Sequence, residues 1–127
     1  MKTKSNQLET LKTLDQEGIQ FISLQFTDTI GGIRSVVIPR RDFEDTLEQG
    51  CPFDGSSAGF VGVHESDLTL LPDVDTFRIF PWGTKENKTA RVICDVYRED
   101  VKTPFEGDPR SVLRQMIKKM KKENKQS

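Results

Sequence analysis

The stretch FISLQFTDTIGGIRSVVIP, residues 21–39, carries the signals that decide the fold. Polar and apolar side chains alternate from Ile22 to Phe26, and because successive side chains of a strand point to opposite faces, this alternation predicts a half-buried strand. The run TDTIGG at 27–32 holds turn residues and two glycines, and the run that follows is rich in β-branched residues. The pattern predicts a β-hairpin that ends at Pro39.

Helical patterns lie on both sides of this hairpin. Residues 5–17 predict a short amphipathic helix, with Asn6 as a capping residue and Gly18 just beyond its end. Its apolar positions recur every three residues, at Leu8, Leu11 and Leu14. The run RRDFEDTLEQG at 40–50 has apolar residues four apart and ends in Gly50, so it predicts a second short helix that crosses the hairpin.

Short strands and one more helix are predicted in the rest of the chain. Residues 68–71, 77–82 and 90–97 are predicted to be three strands, the last of them partly covered on both faces. Asp108 is well placed as a helix cap and Pro109 as the first helical residue, which predicts a helix to about residue 122. Its apolar positions share one face: Leu113, Met116, Ile117 and Met120. The lysines around them favour a solvated face over a nucleic-acid or calmodulin-like handle.

The composition and charge of the chain limit its possible functions. The 127 residues fit one domain, and 19 basic against 20 acidic residues give a net charge of −1, so no long-range field favours nucleic acid or a membrane. No apolar run is long enough for a signal peptide or a membrane span, which makes the cytoplasm the expected location. Cys51 and Cys94 are expected to be reduced core thiols, and a single histidine, His64, excludes a His-rich metal site. Together the patterns predict an α+β domain with a small mixed sheet.

The stretch CPFDGSSAGFVGVHESD, residues 51–67, is the candidate functional segment. Its small and turn-forming residues let the backbone bend sharply and approach another molecule closely, so a docking loop is predicted here. Asp54 contributes a carboxylate to this loop. Taken by itself, that residue is better explained by an ordinary turn aspartate than by a functional group.

The chain resembles the N-terminal domain of type I glutamine synthetases. Five collinear blocks carry the resemblance: FISLQFTDTIGGIRSVVIP at 21–39, FDGSSAGF at 53–60, ESDLTLLPDVDTFRIFPW at 65–82, ARVICDVY at 90–97 and TPFEGDPRSVL at 103–113. The resemblance implies a β-grasp, ubiquitin-like fold with a small mixed sheet and a crossing helix, flanked by N- and C-terminal helices. It divides the chain into an N-terminal helix at 1–17, the β-grasp domain at 18–107, and a helix and tail at 108–127.

The resemblance also implies a chemistry. Members of this family join ammonium to glutamate with ATP and magnesium or manganese, in a ring of subunits whose active sites are shared between neighbours. By match to the family motif, Asp54 would bind ammonium and take its proton, Ser57 would support that site, and Phe60 would help to wall it. The loop is one residue shorter than the family pattern at Ala58, and Gly62 stands where many relatives carry a basic residue.

Two hypotheses follow. In the first, the chain is the N-terminal domain or a fragment of a glutamine synthetase, which lends its loop to a neighbouring subunit. Because the family's metal and nucleotide ligands lie in a catalytic domain that this sequence does not contain, the chain alone is expected to bind no cofactor or metal and to be inactive. In the second hypothesis, the chain is a free-standing β-grasp binding or regulatory module that associates with full-length glutamine synthetase or with another partner.

Overall fold

The predicted hairpin forms the first part of the sheet. In the computed structural model, strand β1 (Phe21–Thr27) pairs antiparallel with strand β2 (Ile33–Pro39), so this prediction is confirmed. The structure describes residues 4–28, 30–55, 67–98 and 102–126.

Asp28 organises the turn of the hairpin. Its side chain is only 4% exposed, and its carboxylate accepts hydrogen bonds from the Ile30 amide at 3.1 Å, the Gly32 amide at 2.7 Å and Arg34 Nε at 3.0 Å. The backbone adds a bond from the Asp28 amide to the Gly32 carbonyl. One carboxylate therefore satisfies the polar backbone groups of the turn and also holds the first residues of β2.

Five strands form one mixed sheet in the order β2-β1-β5-β4-β3. Strand β5 (Thr89–Arg98) lies at its centre, parallel to β1 and antiparallel to β4 (Asp67–Ile79), which in turn pairs antiparallel with β3 (Cys51–Asp54). The mixed sheet and the three helices confirm the predicted α+β class. The prediction that the last strand is covered in part on both faces is also confirmed, since its residues alternate between buried and half-buried.

The separation of residues 68–71 from 77–82 into two strands was wrong. Residues 67–79 form the single strand β4, and its pairing with β5 shifts register between Asp73 and Arg78, next to the PDVD segment. The Thr76 hydroxyl donates to the Asp73 carbonyl at 2.6 Å and accepts from the Ile93 amide at 2.7 Å. A hydrogen bond to the Thr76 side chain thus replaces a missing backbone hydrogen bond between β4 and β5. This replacement is why turn-forming residues are tolerated inside the strand. The strand ends at Ile79, before Trp82.

Two helices cover the core face of the sheet. Helix α1 (Lys4–Gln16) contributes Leu14 and helix α2 (Phe43–Gln49) contributes Phe43, both 0% exposed, to the cluster formed with the inward side chains of the strands. The inward strand residues of this cluster are Ile22, Leu24, Phe26, Ile38, Leu68, Leu70, Ala90, Val92, Cys94 and Val96. Of the two cysteines, Cys94 is buried as predicted and Cys51 is only half-buried; both are free thiols.

Gly18 ends α1 in the predicted way. Its φ is +68°, its amide donates to the Asp15 carbonyl, and the Ile19 amide donates to the Leu14 carbonyl at 2.9 Å. These two bonds, with Ile19 and Leu14 both buried, form a Schellman motif. The prediction of Asn6 as the cap at the other end was wrong, because α1 begins at Lys4 and Asn6 lies inside its first turn.

Helix α3 (Pro109–Gln126) extends further than the predicted end at 122 and is tied to the sheet by charged groups. Asp108, 1% exposed, accepts hydrogen bonds from the Arg110 amide at 3.1 Å and from the Val96 amide of β5 at 2.9 Å, which confirms it as the cap. Burial raises the pKa of Asp108, although these two amides oppose the shift. Arg110 bonds to Asp73 at 2.8 Å and to Asp95 at 2.6 Å, so the helix begins on the face of the sheet opposite the core.

No helix in the described part of the chain is both long enough and apolar enough to cross a membrane.

The Asp28 turn predicts a pH dependence of stability. The bond from Arg34, and next the bond from the Gly32 amide, lower the pKa of Asp28 below its ordinary value of 3.8. The ionised carboxylate is therefore favoured in the folded state, so its stabilisation is present above about pH 4 and is lost as the pH falls through the lowered pKa. We expect the urea midpoint of the wild-type chain to fall between about pH 5 and about pH 3, and to fall less in Asp28→Asn.

Asp45→Asn, an exposed residue of α2, is the matched control and should follow the wild-type pH profile. An Asp28→Asn chain whose midpoint changes with pH as steeply as the wild type would contradict this role of the turn carboxylate.

Candidate functional site

Asp54 lies at the end of a strand and not within a loop. Residues 51–54, which the sequence places at the start of the docking loop, form the edge strand β3, paired in register with residues 67–70 of β4. Pro52 and Asp54 are poor strand formers, which conceals the strand in the sequence; Pro52 is accommodated because β3 is an edge strand.

Strand alternation points Asp54 away from the core. Phe53 faces inward and packs against Phe26, with ring centroids 4.8 Å apart, whereas Pro52 and Asp54 are exposed. An aromatic anchor directly before the carboxylate fixes the backbone from which Asp54 projects. Asp54 is therefore accessible from outside the domain, as a group that serves a visiting molecule must be.

Gly50 lets the chain pass from α2 directly into β3. It has φ +76° and ψ 176°, and a Cβ built on it would lie 2.2 Å from Thr69 Cγ2 and 3.0 Å from the Leu70 carbonyl oxygen. A side chain at this position meets both a strained backbone and the neighbouring strand β4. The position of Asp54 therefore depends on a glycine four residues before it.

A second carboxylate faces Asp54. Asp67, the first residue of β4, is its partner in the β3–β4 register and is also exposed. Directly opposed residues of an antiparallel pair have Cβ atoms about 5 Å apart, and like charges in this arrangement repel each other. A cation placed between or above them relieves that repulsion. Sequence patterns did not predict a role for Asp67, because only the pairing of β3 with β4 brings it opposite Asp54.

The other predicted site residues cannot be located. Ser57 and Phe60 lie outside the described residues, as do Ala58, Gly62 and His64. The structure thus places one of the three predicted site residues, Asp54, and adds Asp67 beside it. In the part of the chain that the structure describes, no three or more His, Cys, Asp or Glu side chains gather closely enough to hold a metal ion.

The fold defines a class of protein. A mixed sheet with a parallel β1–β5 pair, an N-terminal hairpin and a crossing helix is the architecture expected of a β-grasp domain. The family model described as glutamine synthetase, β-grasp domain, matches residues 18–99. The chain therefore belongs to the glutamine synthetase β-grasp family, which confirms both the predicted fold and the resemblance.

Two curated relatives of the chain are glutamine synthetases. The chain is 49% identical over 107 residues to the glutamine synthetase of Clostridium saccharobutylicum, covering 84% of this chain and 24% of that protein. It is 48% identical over 110 residues to the glutamine synthetase of Staphylococcus aureus strain MW2, covering 86% of this chain and 24% of that protein. The chain thus spans about a quarter of the length of these relatives.

Solved structures share the fold. The ADP complex of GmaS superposes with a TM-score of 0.78 at 24% identity and covers 90% of this chain and 26% of that chain. Apo GmaS superposes with a TM-score of 0.72 at 27% identity, over 82% of this chain and 24% of that chain. In both GmaS structures, the part shared with this chain is about a quarter of the GmaS chain.

A matched pair of glycine substitutions tests how the site is positioned. Gly18 and Gly50 both have positive φ, but a Cβ at Gly18 has nothing within 4 Å. We expect Gly18→Ala to lower the free energy of unfolding by about 1 kcal/mol, from backbone strain alone. We expect Gly50→Ala to lower it by about 3 kcal/mol, because overpacking against β4 is added to the strain.

Urea denaturation followed by circular dichroism measures both changes. Equal losses of stability in the two variants would show that the approach of Gly50 to β4 is not a close packing contact.

Proposed function

We propose that this chain serves as the β-grasp domain of a glutamine synthetase, and that Asp54 completes an ammonium site in the active site of a neighbouring subunit. The observation that carries the proposal is the exposed carboxylate of Asp54, held at the end of an edge strand opposite a second carboxylate, Asp67. Membership of the glutamine synthetase family supplies the reaction in which such a group is useful.

The proposed role of Asp54 follows from carboxylate chemistry. An ionised carboxylate only accepts hydrogen bonds and therefore favours a cation such as ammonium, and the charge of Asp67 strengthens the local negative potential. When a partner subunit shields the site from water, Asp54 can take a proton from ammonium and leave neutral ammonia with a free electron pair. That nitrogen then attacks the γ-carbonyl carbon of the activated glutamate, and phosphate leaves. Ser57 is proposed to support this site, and Phe60 is proposed to form part of its wall.

The remaining parts of the reaction are assigned to other parts of the enzyme. In the complete enzyme ATP activates glutamate and magnesium or manganese stabilises the phosphate charges. The described residues of this chain contain no cluster of three or more His, Cys, Asp or Glu side chains able to ligate such a metal ion. We therefore propose that subunits of a ring-forming synthetase provide them. Two free thiols, Cys51 and Cys94, agree with a reducing cytoplasm as the place of action.

The first test is a ligase assay on the purified 127-residue chain. With ATP, magnesium, glutamate and ammonium present, we expect no ATP-dependent formation of glutamine, because this chain is proposed to provide only the ammonium-binding carboxylate. Formation of glutamine above the rate without protein would contradict the proposal that ATP and the metal ions are bound by other parts of the enzyme.

The second test places Asp54 in a complete enzyme. A chimera of the Staphylococcus aureus synthetase, with its 110-residue match replaced by the corresponding part of this chain, is assayed as wild type and as Asp54→Asn. We expect Asp54→Asn to lower kcat by about 100-fold, the usual contribution of a positioned base, and to raise KM for ammonium more than KM for glutamate.

Asp45→Asn on α2 is the control for this assay and should keep kcat within a factor of about two. An Asp54→Asn chimera with unchanged kcat and unchanged KM for ammonium would exclude the proposed role.

A further inference from the structure

Asp54 is followed directly by Gly55, and this is the one Asp–Gly pair in the sequence, which contains no Asn–Gly pair. A backbone amide can attack the side-chain carbonyl carbon of the residue before it, and glycine hinders that attack least because it has no Cβ. The Asp54 side chain is exposed, so it can turn toward the Gly55 amide without displacing core residues.

The buried aspartates described above differ from Asp54 in both respects. The carboxylates of Asp28, Asp73 and Asp108 accept backbone amides, which holds them in place. In the sequence, the first two are followed by β-branched residues, whose bulk hinders attack by their amides. Asp108 is followed by Pro109, which has no N–H to lose. Asp54 thus combines an exposed carboxyl group with an unhindered following amide, and these three do not.

The position of Asp54 in the sheet also favours reaction. It is the last residue of β3, and the register between β3 and β4 runs from Cys51 to Asp54, so the Gly55 amide takes no part in this pairing. Asp67 lies directly opposite Asp54, and like charges in this arrangement repel each other. A ring formed from the Asp54 side chain and the Gly55 amide carries no charge, so its formation removes this repulsion.

We propose that Asp54 and Gly55 form a modification site, at which Asp54 isomerises through a cyclic succinimide to isoaspartate. The Gly55 nitrogen attacks Cγ of the protonated Asp54 carboxyl group. A C–N bond forms, a C–O bond of the carboxyl group breaks, and the hydroxyl group leaves with the amide proton as water. Water then adds to either carbonyl carbon of the ring and breaks its bond to nitrogen. The reaction needs no oxidant, reductant or other co-reactant.

The two directions of ring opening give different chains. Breaking the bond from nitrogen to Cγ restores aspartate. Breaking the bond from nitrogen to the main-chain carbonyl carbon of Asp54 leaves the chain continuing through Cγ, with one additional backbone carbon and a carboxylate attached directly to Cα. Isoaspartate therefore carries its carboxylate at a different place from Asp54. Formation of isoaspartate does not depend on the proposed function, but its consequence does: the converted chain loses the carboxylate of the ammonium site.

The experiment follows isoaspartate in the purified 127-residue chain during incubation at near-neutral pH, folded and unfolded in guanidinium chloride. Peptide mapping with electron-transfer fragmentation locates the isoaspartate, and a protein-isoaspartate methyltransferase with labelled S-adenosylmethionine measures its amount. We expect isoaspartate at Asp54 in the folded chain, at a rate within about tenfold of the unfolded chain, because pairing at the end of an edge strand opens readily. Asp45, an exposed aspartate followed by Thr46, should show none.

Gly55→Ala is the test variant. We expect the rate of isoaspartate formation at Asp54 to fall by about tenfold, because the added methyl group hinders the attacking nitrogen. Gly55 is buried, so circular dichroism checks the fold of this variant, and the unfolded sample gives the comparison without any contribution from folding. Gly18→Ala is the matched control, since Gly18 follows Glu17 and not an aspartate. It should leave the rate at Asp54 unchanged.

Absence of isoaspartate at Asp54 in the folded chain would overturn the proposal, and its presence in the unfolded sample would then show that the fold prevents the reaction. An unchanged rate in unfolded Gly55→Ala, or equal amounts of isoaspartate at Asp45 and Asp54, would also overturn it. The measurement does not use ligase activity. A failure of the proposed ammonium site is therefore distinguished from a failure of this modification site.

Discussion

The structure depends on the hydrogen bonding of β5 to a strand on each side. Its parallel pairing with β1 joins the N-terminal hairpin to the sheet, and its antiparallel pairing with β4 joins the β4–β3 pair that carries Asp54. Alternate residues of β5 are almost fully buried in the core, and Asp95, which lies between two of them, bonds to Arg110 and Arg114 of α3. A long-range pairing between residues about 70 positions apart therefore sets the position of every other element.

Carboxylates in this domain have two distinct uses. Asp28, Asp73 and Asp108 are buried, and each accepts a backbone amide at a place where the regular pattern is interrupted: the hairpin turn, the irregularity in β4 and the start of α3. A buried carboxylate is tolerated because donors surround it. Asp54 is exposed and lies opposite another carboxylate, Asp67, so that like charges face each other across the two strands. The two kinds of carboxylate therefore differ in burial: the first three satisfy backbone amides inside the fold, and Asp54 faces outward.

Two features of the domain are directed outward, the exposed carboxylate of Asp54 and the exposed apolar side chains of α3. They differ in chemistry, since the first is a carboxylate and the second is apolar. They are held by different parts of the sheet, the edge strand β3 and the side chains of Asp73 and Asp95. A domain with two such features fits a family in which this chain matches about a quarter of each relative's length.

The sequence by itself determined the local structure and the family. Period-two alternation, glycines with a required positive φ and the cap at Asp108 predicted the hairpin, the end of α1 and the start of α3, because each depends on residues that are close in the chain. Only the tertiary structure decided that 51–54 is a strand, that 67–79 is one strand, and that Asp67 faces Asp54. Those features come from hydrogen bonds between distant segments, which can override weak local preferences and which local sequence patterns do not contain.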